Sequence, residues 1–461
     1  SLRQNNNYSV IAFVDDKEAL WNRKANGIVI RPVSSLGSLI SKYGVNQVLL
    51  AIPSLSAKRK SEILRYIQSF GVKVSKIPSI EEITSGKVPI AELRHISTME
   101  LLGRESVKPD EELINSGISS LNICVVGAGG SIGSELCRQI LKYKPKKIIL
   151  LEMSEPSLYQ INQELINLEL SFSIEIVPIL GNVNNYDFIK QVFKENQVEI
   201  VFHAAAYKHV PLVEENPISG IDNNISSTIS VCNVALDLGI SKVIYISTDK
   251  AVRPTNVMGA SKRLCELIVS YYSLNNKDKR TIFSMVRFGN VLGSSGSVVP
   301  LFNKQISNGG PITLTDINVI RYFMTIEEAS QLVLQSSVIA KGGELFILDM
   351  GEPVKIFELA KQMIRLRGLS LKNEDNPNGD IEIICTGLRA GEKLYEELLV
   401  DGKCEKTIHP LIYKAIEKNK FDKDFKSKLT LLKNYLLKND KEMILNSLSE
   451  LVPSWSTSLL R

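Results

Sequence analysis

The chain has little that could hold it together or anchor it other than an ordinary core. Of its 461 residues, only six are cysteine and four are histidine. The cysteines stand at 124, 137, 232, 265, 385 and 404 without a C-x-x-C pair, and the histidines are equally dispersed. That spacing argues against a structural zinc site or a disulfide framework, so no metal is expected and the thiols read as idle in a reducing cytoplasm. No apolar run reaches the roughly 18 residues needed to span a bilayer, and no signal peptide pattern is present. The net charge is only +5, from 55 basic and 50 acidic residues. A nucleic-acid footprint needs clustered basic residues, so no nucleic-acid partner is expected. Internal repeats and low-complexity runs are missing too. The first residue is Ser1 rather than Met, so a fragment or a processed form is expected.

What remains has the composition of a globular protein, 44% hydrophobic and 23% charged. Its length predicts two or three domains. Residues 1–80 alternate strand and helix signals: strands near Tyr8–Val14, Gln47–Ile52 and Gly71–Ile77, and a helix near Ser54–Phe70. The first strand runs into Asp15-Asp16-Lys17 rather than a glycine-rich turn. This small N-terminal α/β domain is therefore read as a docking, regulatory or oligomerisation unit, not a dinucleotide site. Residues 81–120 are polar and read as a connector. From Leu121 a larger α/β domain begins, to about residue 415. Strand signals recur at Ile123–Val126, Ile148–Leu151, Glu175–Ile179, Ile200–Ala204, Val243–Ile246 and Phe283–Val286, with helical stretches between. That alternation predicts a doubly wound parallel sheet of Rossmann type with a mostly helical, substrate-binding portion towards the C-terminus. The tail, 416–461, is rich in Lys, Leu and Asn and reads as a solvated amphipathic helix pair, with a membrane-surface helix as the alternative.

Residues 123–135, ICVVGAGGSIGSE, carry the first chemical signal. A buried strand runs into Gly127-x-x-Gly130-x-x-Gly133, then Ser131 and Ile132 open a helix. One glycine permits the tight turn, one lets backbone approach a pyrophosphate, and one lets helix and strand pack closely. The helix N-terminus offers free N–H groups and a positive dipole end to phosphate. Glu152 ends the next strand about 20 residues past the last glycine, where a carboxylate binds the ribose hydroxyls of NAD and repels the extra phosphate of NADP. Asn182 and Val183, after the third strand, are placed to touch adenine. Ala204, Ala205 and Ala206 end the fourth strand, and their small side chains would let backbone border the cofactor. Plain close packing explains the alanines equally well.

Five stretches then appear in order: GAGGSIGSE, HAAAYKHVPLVEENP, STDKAVRPTNVMGASKR, RFGNVLGSSGSVVPLF and RAGEKLYEEL. Together they resemble the extended short-chain dehydrogenase/reductase superfamily, and more narrowly its nucleotide-sugar 4,6-dehydratases. The nearest subgroup is the membrane-associated UDP-N-acetylglucosamine 4,6-dehydratase type of bacterial glycan biosynthesis. The match covers roughly residues 85–415. In much of the superfamily a catalytic tyrosine stands four residues before a lysine; here Met258 stands before Lys262, as it often does in the subgroup. The resemblance implies NAD as cofactor and Lys262 as the holder of the nicotinamide ribose. It implies Asp249 as the acid for the departing 6-hydroxyl, Lys250 as the base for C5 and Thr248 as the partner of the C4 oxygen. In an extended segment Asp249 and Lys250 would point apart, whereas a turn at the strand end would place both around the sugar. A lysine base needs a lowered pKa, which desolvation and the nearby Lys262 charge would supply. With no tyrosine, the C4 hydroxyl proton is expected to leave through Thr248, a water or Asp249.

A sugar diphosphate needs cations and N–H donors. The candidates are Lys208, Asn290, Ser297, Val298, Arg321, Arg389 and Glu392, with Tyr207 and His209 shaping the pocket. The function expected is dehydration of UDP-N-acetylglucosamine to the 4-keto-6-deoxy sugar by a hydro-lyase. The alternatives are a C5-inverting dehydratase, a 4-epimerase, or a non-catalytic NAD-binding scaffold. The methionine subgroup leans towards retention at C5. The resemblance further implies a homo-oligomer at the cytoplasmic face of the inner membrane, anchored through a segment upstream of Ser1.

Overall fold

A computed structural model describes residues 9–52, 55–76, 94–95, 107–168, 174–276, 280–389, 391–399, 402–417 and 421–455. Most of the expected connector lies outside these residues; within it, Glu111–Ile118 forms a helix capped by the Asp110 carboxylate on Leu113 N–H.

The chain divides into two compact units. The larger comprises Ser106–Ser297, Asn318–Pro353 and Gly387–Arg461. Its strands are β1 (Asn122–Val126), β2 (Lys147–Glu152), β3 (Glu175–Leu180), β4 (Ile200–His203), β5 (Lys242–Ile246), β6 (Ile282–Arg287), β7 (Leu345–Leu348), β8 (Cys404–Lys406) and β9 (Ile412–Ala415). They form one sheet in the order β8-β9-β7-β6-β5-β4-β1-β2-β3. The seven from β3 to β7 run parallel, β9 pairs antiparallel with β7, and β8 pairs antiparallel with β9. The six predicted strands are therefore present, and sequence reading missed β7, β8 and β9. Valine and isoleucine dominate β1, β2, β5 and β6 because both faces are covered by helices, as an all-parallel sheet requires. Helices α1 (Ser131–Lys142), α2 (Glu155–Ile166), α3 (Tyr186–Glu195), α4 (Pro217–Leu238), α5 (Val257–Asn275) and α6 (Ile326–Ile339) supply that cover, in two apolar clusters. The chain leaves β1 in one direction and returns through β4 in the other, so β1 and β4 flank the switch point where such sheets bind ligands.

The tail corrects the sequence reading. Helices α7 (Phe425–Lys438) and α8 (Lys441–Leu451) bury Phe425, Leu429, Leu432, Leu436, Ile444 and Leu448 in the same apolar cluster as α4 and α5. Tyr271 of α5 meets Phe421 and Phe425 at ring distances of 5.5 and 5.1 Å. The apolar stripe expected to face solvent or a membrane surface is thus already covered by protein.

The smaller unit joins Ser1–Glu105 to Val298–Ile317 and Val354–Thr386, although the sequence reading placed the latter two segments inside the catalytic domain. Its strands Gln47–Leu50 and Lys73–Lys76 pair in parallel around helix Ala57–Gln68, and Phe13–Asp15 pairs with Ile28–Pro32. Leu36, Leu64, Ile67, Val72 and Val74 form its core, and Leu366 from the later segment packs on it. Long-range burial of this kind leaves no trace in local periodicity. Among the described residues no helix is long and apolar enough to cross a membrane, and no cluster of His, Cys, Asp and Glu could hold a metal ion. All six thiols are free, four of them buried.

Candidate active site

The glycine turn leaves β1 and opens α1 through Gly130, its N-cap. Gly127 has φ +82°, and a Cβ there would lie 2.7 Å from Ala205 N. Ala204 N–H in turn donates to Val126 C=O at 2.9 Å, so the alanines after β4 border the turn. A Cβ on Gly133 would collide with the Gly127 carbonyl. The glycines thus bring backbone of β1, β4 and α1 closer than side chains permit. The N–H groups at the start of α1, where Ser131 and Ile132 stand, are of the kind that suits a phosphate. Gly133→Ala is expected to weaken NAD binding more than tenfold and to lower stability by about 2 kcal/mol, since the backbone must shift to admit the methyl; calorimetric titration with NAD checks this.

Glu152 ends β2 beside that turn. Its carboxylate accepts from Gly129 N–H at 3.0 Å and from Met153 and Ser154 N–H at 2.9 Å each. A carboxylate has about four lone-pair sites, so capacity remains for a ribose diol. Val183 is buried in the core, while Asn182 is exposed and accepts from Asn184 N–H. The fit to a dinucleotide is therefore good at the phosphate and ribose ends: a cradle only glycine fits, and an acidic residue beside it.

Thr248, Asp249 and Lys250 follow β5. The segment turns into a short 3₁₀ helix at Asp249–Ala251, with Thr248 as its cap. Of the two arrangements left open by the sequence, the turn is the one formed, and both side chains stay together. Asp249 is only 1% exposed; its Oδ1 accepts from Thr248 Oγ1 at 2.9 Å and from Lys250 Nζ at 3.0 Å. Gly289 makes room for this carboxylate, since a Cβ there would sit 3.1 Å from Asp249 Oδ2. Lys250 Nζ also donates to Asn290 Oδ1 at 3.2 Å and lies 3.8 Å from Glu396 Oε1.

The expected depression of the Lys250 pKa is not found. Desolvation lowers it, but Asp249 and Glu396 outweigh that loss, and the amine is raised above its ordinary value. Lys262 is instead depressed, to about 8, chiefly by burial. Lys262 Nζ donates to Ile246 C=O at 2.7 Å and lies 4.2 Å from the Tyr245 ring centroid. It sits on α5 one turn after Met258, which is buried in the core and carries no proton chemistry. His203, at the end of β4, is buried, and desolvation followed by the Lys262 charge lowers its pKa to about 3, so it is neutral.

The loop after β4 carries Tyr207, Lys208 and His209. Asn224 of α4 fastens it: its side chain accepts from Tyr207 N–H at 2.7 Å, and its amide donates to Tyr207 C=O and to Ser261 Oγ of α5. Sequence reasoning missed Asn224, which looks like any helical asparagine. Lys208 is exposed as a residue, yet its pKa is lowered by desolvation and then by the Lys250 charge. Desolvation and Lys208 lower His209 likewise. Gly296, at φ +69°, leaves space for the His209 ring, and Ser295 N–H donates to Ser131 Oγ at 3.3 Å. The Ser294–Ser297 turn thus lies against both the glycine turn and the 207–209 loop. The Ser297 hydroxyl oxygen is buried and has no hydrogen-bond partner among the described residues. Val298 begins a helix of the smaller unit.

Arg321 departs from expectation. Its guanidinium donates to the carbonyls of Ile320, Lys393 and Leu394 and lies 3.6 Å from Glu392. It holds the 391–396 loop rather than standing free for a diphosphate. Glu392 also accepts from Arg389 N–H at 3.3 Å, and Arg389 itself is exposed. The loop delivers Glu396 to Lys250. That residue lies within the RAGEKLYEEL stretch, yet nothing in its local pattern separates it from Glu397, which is exposed and pairs with Arg253 at 3.1 Å.

Comparison with known proteins agrees with this geometry. Residues 123–417 match the family described as polysaccharide biosynthesis protein. The capsular polysaccharide biosynthesis protein CapD of Staphylococcus aureus is 47% identical over 95% of this chain and 71% of its own length. A UDP-N-acetylglucosamine 4,6-dehydratase (inverting) of Campylobacter jejuni is 34% identical over 66% of this chain and 85% of its own. The solved structure of DesIV, a dTDP-glucose 4,6-dehydratase of Streptomyces venezuelae with NAD and TYD bound, shares the fold at 18% identity. Its TM-score is 0.51, covering 60% of this chain and 87% of that one. The chain therefore belongs to the polysaccharide biosynthesis protein family, with the Rossmann fold of the nucleotide-sugar dehydratases and epimerases.

Proposed function

We propose that the protein catalyses the NAD-dependent 4,6-dehydration of UDP-N-acetylglucosamine. One observation carries the proposal: Thr248 and Lys250 both hydrogen-bond the buried Asp249 carboxylate at the carboxyl end of β5. A 4-epimerase needs hydride removal and return at C4 alone, so an acid and an amine held together would be superfluous there. The dinucleotide fit described above supports NAD, which when bound supplies a hydride acceptor for C4 and a hydride donor for C6.

The chain's own groups handle the protons. Thr248 takes the hydrogen bond of the C4 hydroxyl and passes its proton to Asp249 along the 2.9 Å bond between them. Lys250, as free amine, removes the proton at C5, made acidic by the C4 ketone. Asp249 gives its proton to the 6-hydroxyl, which leaves as water. Lys250 then returns its proton to C5. The ledger balances: the O4 proton ends in the departing water, and the C5 proton is only lent. Lys262 orients the nicotinamide ribose, and its positive charge favours loss of the O4 proton. Lys208, Ser297, Arg389 and the N–H groups of the 294–297 turn are the groups left to bind the UDP moiety, with Arg321 and Glu392 holding the loop behind them.

Incubation with UDP-N-acetylglucosamine tests the proposal. Loss of one water, about 18 Da, is expected, with the product's C6 as a methyl group. An unchanged mass with an altered C4 configuration would indicate epimerisation, and no change with NAD bound a non-catalytic role. Membrane anchoring and homo-oligomerisation remain part of the same proposal, resting on resemblance alone.

A further inference from the structure

Lys250 poses a chemical problem that the mechanism above does not solve. It must meet C5 as a free amine, yet its surroundings hold it as an ammonium. Asp249 cannot take the surplus proton, because it must be ionised to receive the O4 proton. We infer that Glu396 accepts the proton of Lys250 and keeps it through the catalytic cycle, so that Lys250 is the base that meets C5. This rests on the dehydratase reading of the site.

The geometry points to a built position rather than a chance approach. Glu396 is 8% exposed, and its Oε1 lies 3.8 Å from Lys250 Nζ. Its Oε2 is buried and has no hydrogen-bond partner among the described residues. An ionised carboxylate with one oxygen buried and unpaired is costly, whereas the protonated acid is much less so. Burial accordingly raises the Glu396 pKa; Lys250 opposes this and Asp249 reinforces it. The loop is fixed at both ends. Gly391, at φ +74°, accepts through its carbonyl from Thr255 Oγ1 at 2.6 Å and Asn256 Nδ2 at 3.0 Å. Arg321 grips Lys393 and Leu394 by their carbonyls. Glu396 is thereby held beside the Lys250 amine, which also donates to Asn290.

The transfer breaks one N–H bond at Lys250 Nζ and forms one O–H bond at Glu396; no other reactant is needed. It exchanges an ion pair for a neutral pair, which exclusion of water by a docked sugar favours. Glu396 acts through Lys250 and does not touch the sugar, so it is a positioning residue whose signature is a pH profile. With Glu396 present, the Lys250–Glu396 pair holds a single proton over a broad pH range, and the active arrangement is only a redistribution within it. Without Glu396, Lys250 must release its proton to solvent before every turnover.

The test uses the full 461-residue chain with NAD and UDP-N-acetylglucosamine, and it follows both turnover and C5 hydrogen exchange in heavy water. Wild-type turnover is measured first: absence of water loss there overturns the dehydratase reading and, with it, the basis for this inference. Given that turnover, the wild-type rate should be flat between about pH 6 and 7.5, below the titration of Lys262 at about 8, whereas Glu396→Gln should fall roughly a hundredfold at pH 7 and recover about tenfold per pH unit within that window. Glu396→Asp, a carboxylate one methylene further away, should restore a flatter profile at an intermediate rate. A Glu396→Gln enzyme with the wild-type profile, whatever its absolute rate, overturns the inference. If Glu396→Gln fails to fold, the wild-type C5 exchange decides: a pH-independent exchange rate supports the transfer, and a rise of about tenfold per pH unit refutes it.

Discussion

Lys250→Ala is expected to reduce turnover of UDP-N-acetylglucosamine by about a thousandfold or more while NAD stays bound. The alanine removes the only amine within hydrogen-bond reach of Asp249 in the described site, and no other group there combines basicity with that position. Lys262 is no substitute, because its Nζ is engaged with Ile246 C=O beneath the site. The groups proposed to bind the dinucleotide, the glycine turn and Glu152, do not hydrogen-bond Lys250, so cofactor content should be unchanged. C5 exchange should vanish, whereas oxidation at C4 needs only Thr248, Asp249 and Lys262. The variant should therefore accumulate reduced nicotinamide absorbance on mixing with substrate. Product formation at the wild-type rate would remove Lys250 from the chemistry.

The second large effect concerns stability. Arg287 is fully buried at the end of β6 and donates to Glu266 at 2.9 and 2.7 Å and to Glu417 at 2.9 Å. Arg263 joins the same two carboxylates at 2.8 Å each, and Ser247 Oγ donates to Glu266 at 2.7 Å. With Ser247, this quartet ties the ends of β5 and β6, helix α5 and the residues after β9 together. Arg287→Met removes one partner and leaves buried carboxylate charge, which costs about 3–5 kcal/mol. Urea denaturation followed by tryptophan fluorescence should show the loss, and a midpoint equal to wild type would refute it. The pH dependence has a definite sign. Burial raises the Glu266 carboxyl, but Arg287 and Arg263 more than reverse this and bring it to about 2 from 4.5. Its contribution is complete above pH 4.5 and disappears as pH falls towards 2, a span worth about 3 kcal/mol. The Met variant should lose most of that acid sensitivity.

Several features of the site were legible along the chain because they are local. A strand followed by three glycines and a helix, with an acid at the next strand end, is a contiguous pattern with contiguous physics. The adjacency of Thr248, Asp249 and Lys250 is likewise covalent, and their place after an apolar strand puts them at the sheet's carboxyl edge. Other features were not local. The Lys250 shift is set by Asp249, which the turn folds back onto the amine, and then by Glu396, which is 146 positions away and indistinguishable by pattern from Glu397. Arg321 read as a free cation because the carbonyls that occupy it belong to a loop some 70 residues later. The tail read as amphipathic and exposed because periodicity reveals an apolar face but not what covers it.

From sequence alone came the glycine turn, the parallel sheet and the Thr248-Asp249-Lys250 triplet after β5, since hydrophobic period, glycine conformational freedom and neighbouring residue types act over a few bonds. Tertiary structure alone decided which carboxylates surround the Lys250 amine, because charge interactions in a desolvated site are set by distance through space and not by separation along the chain.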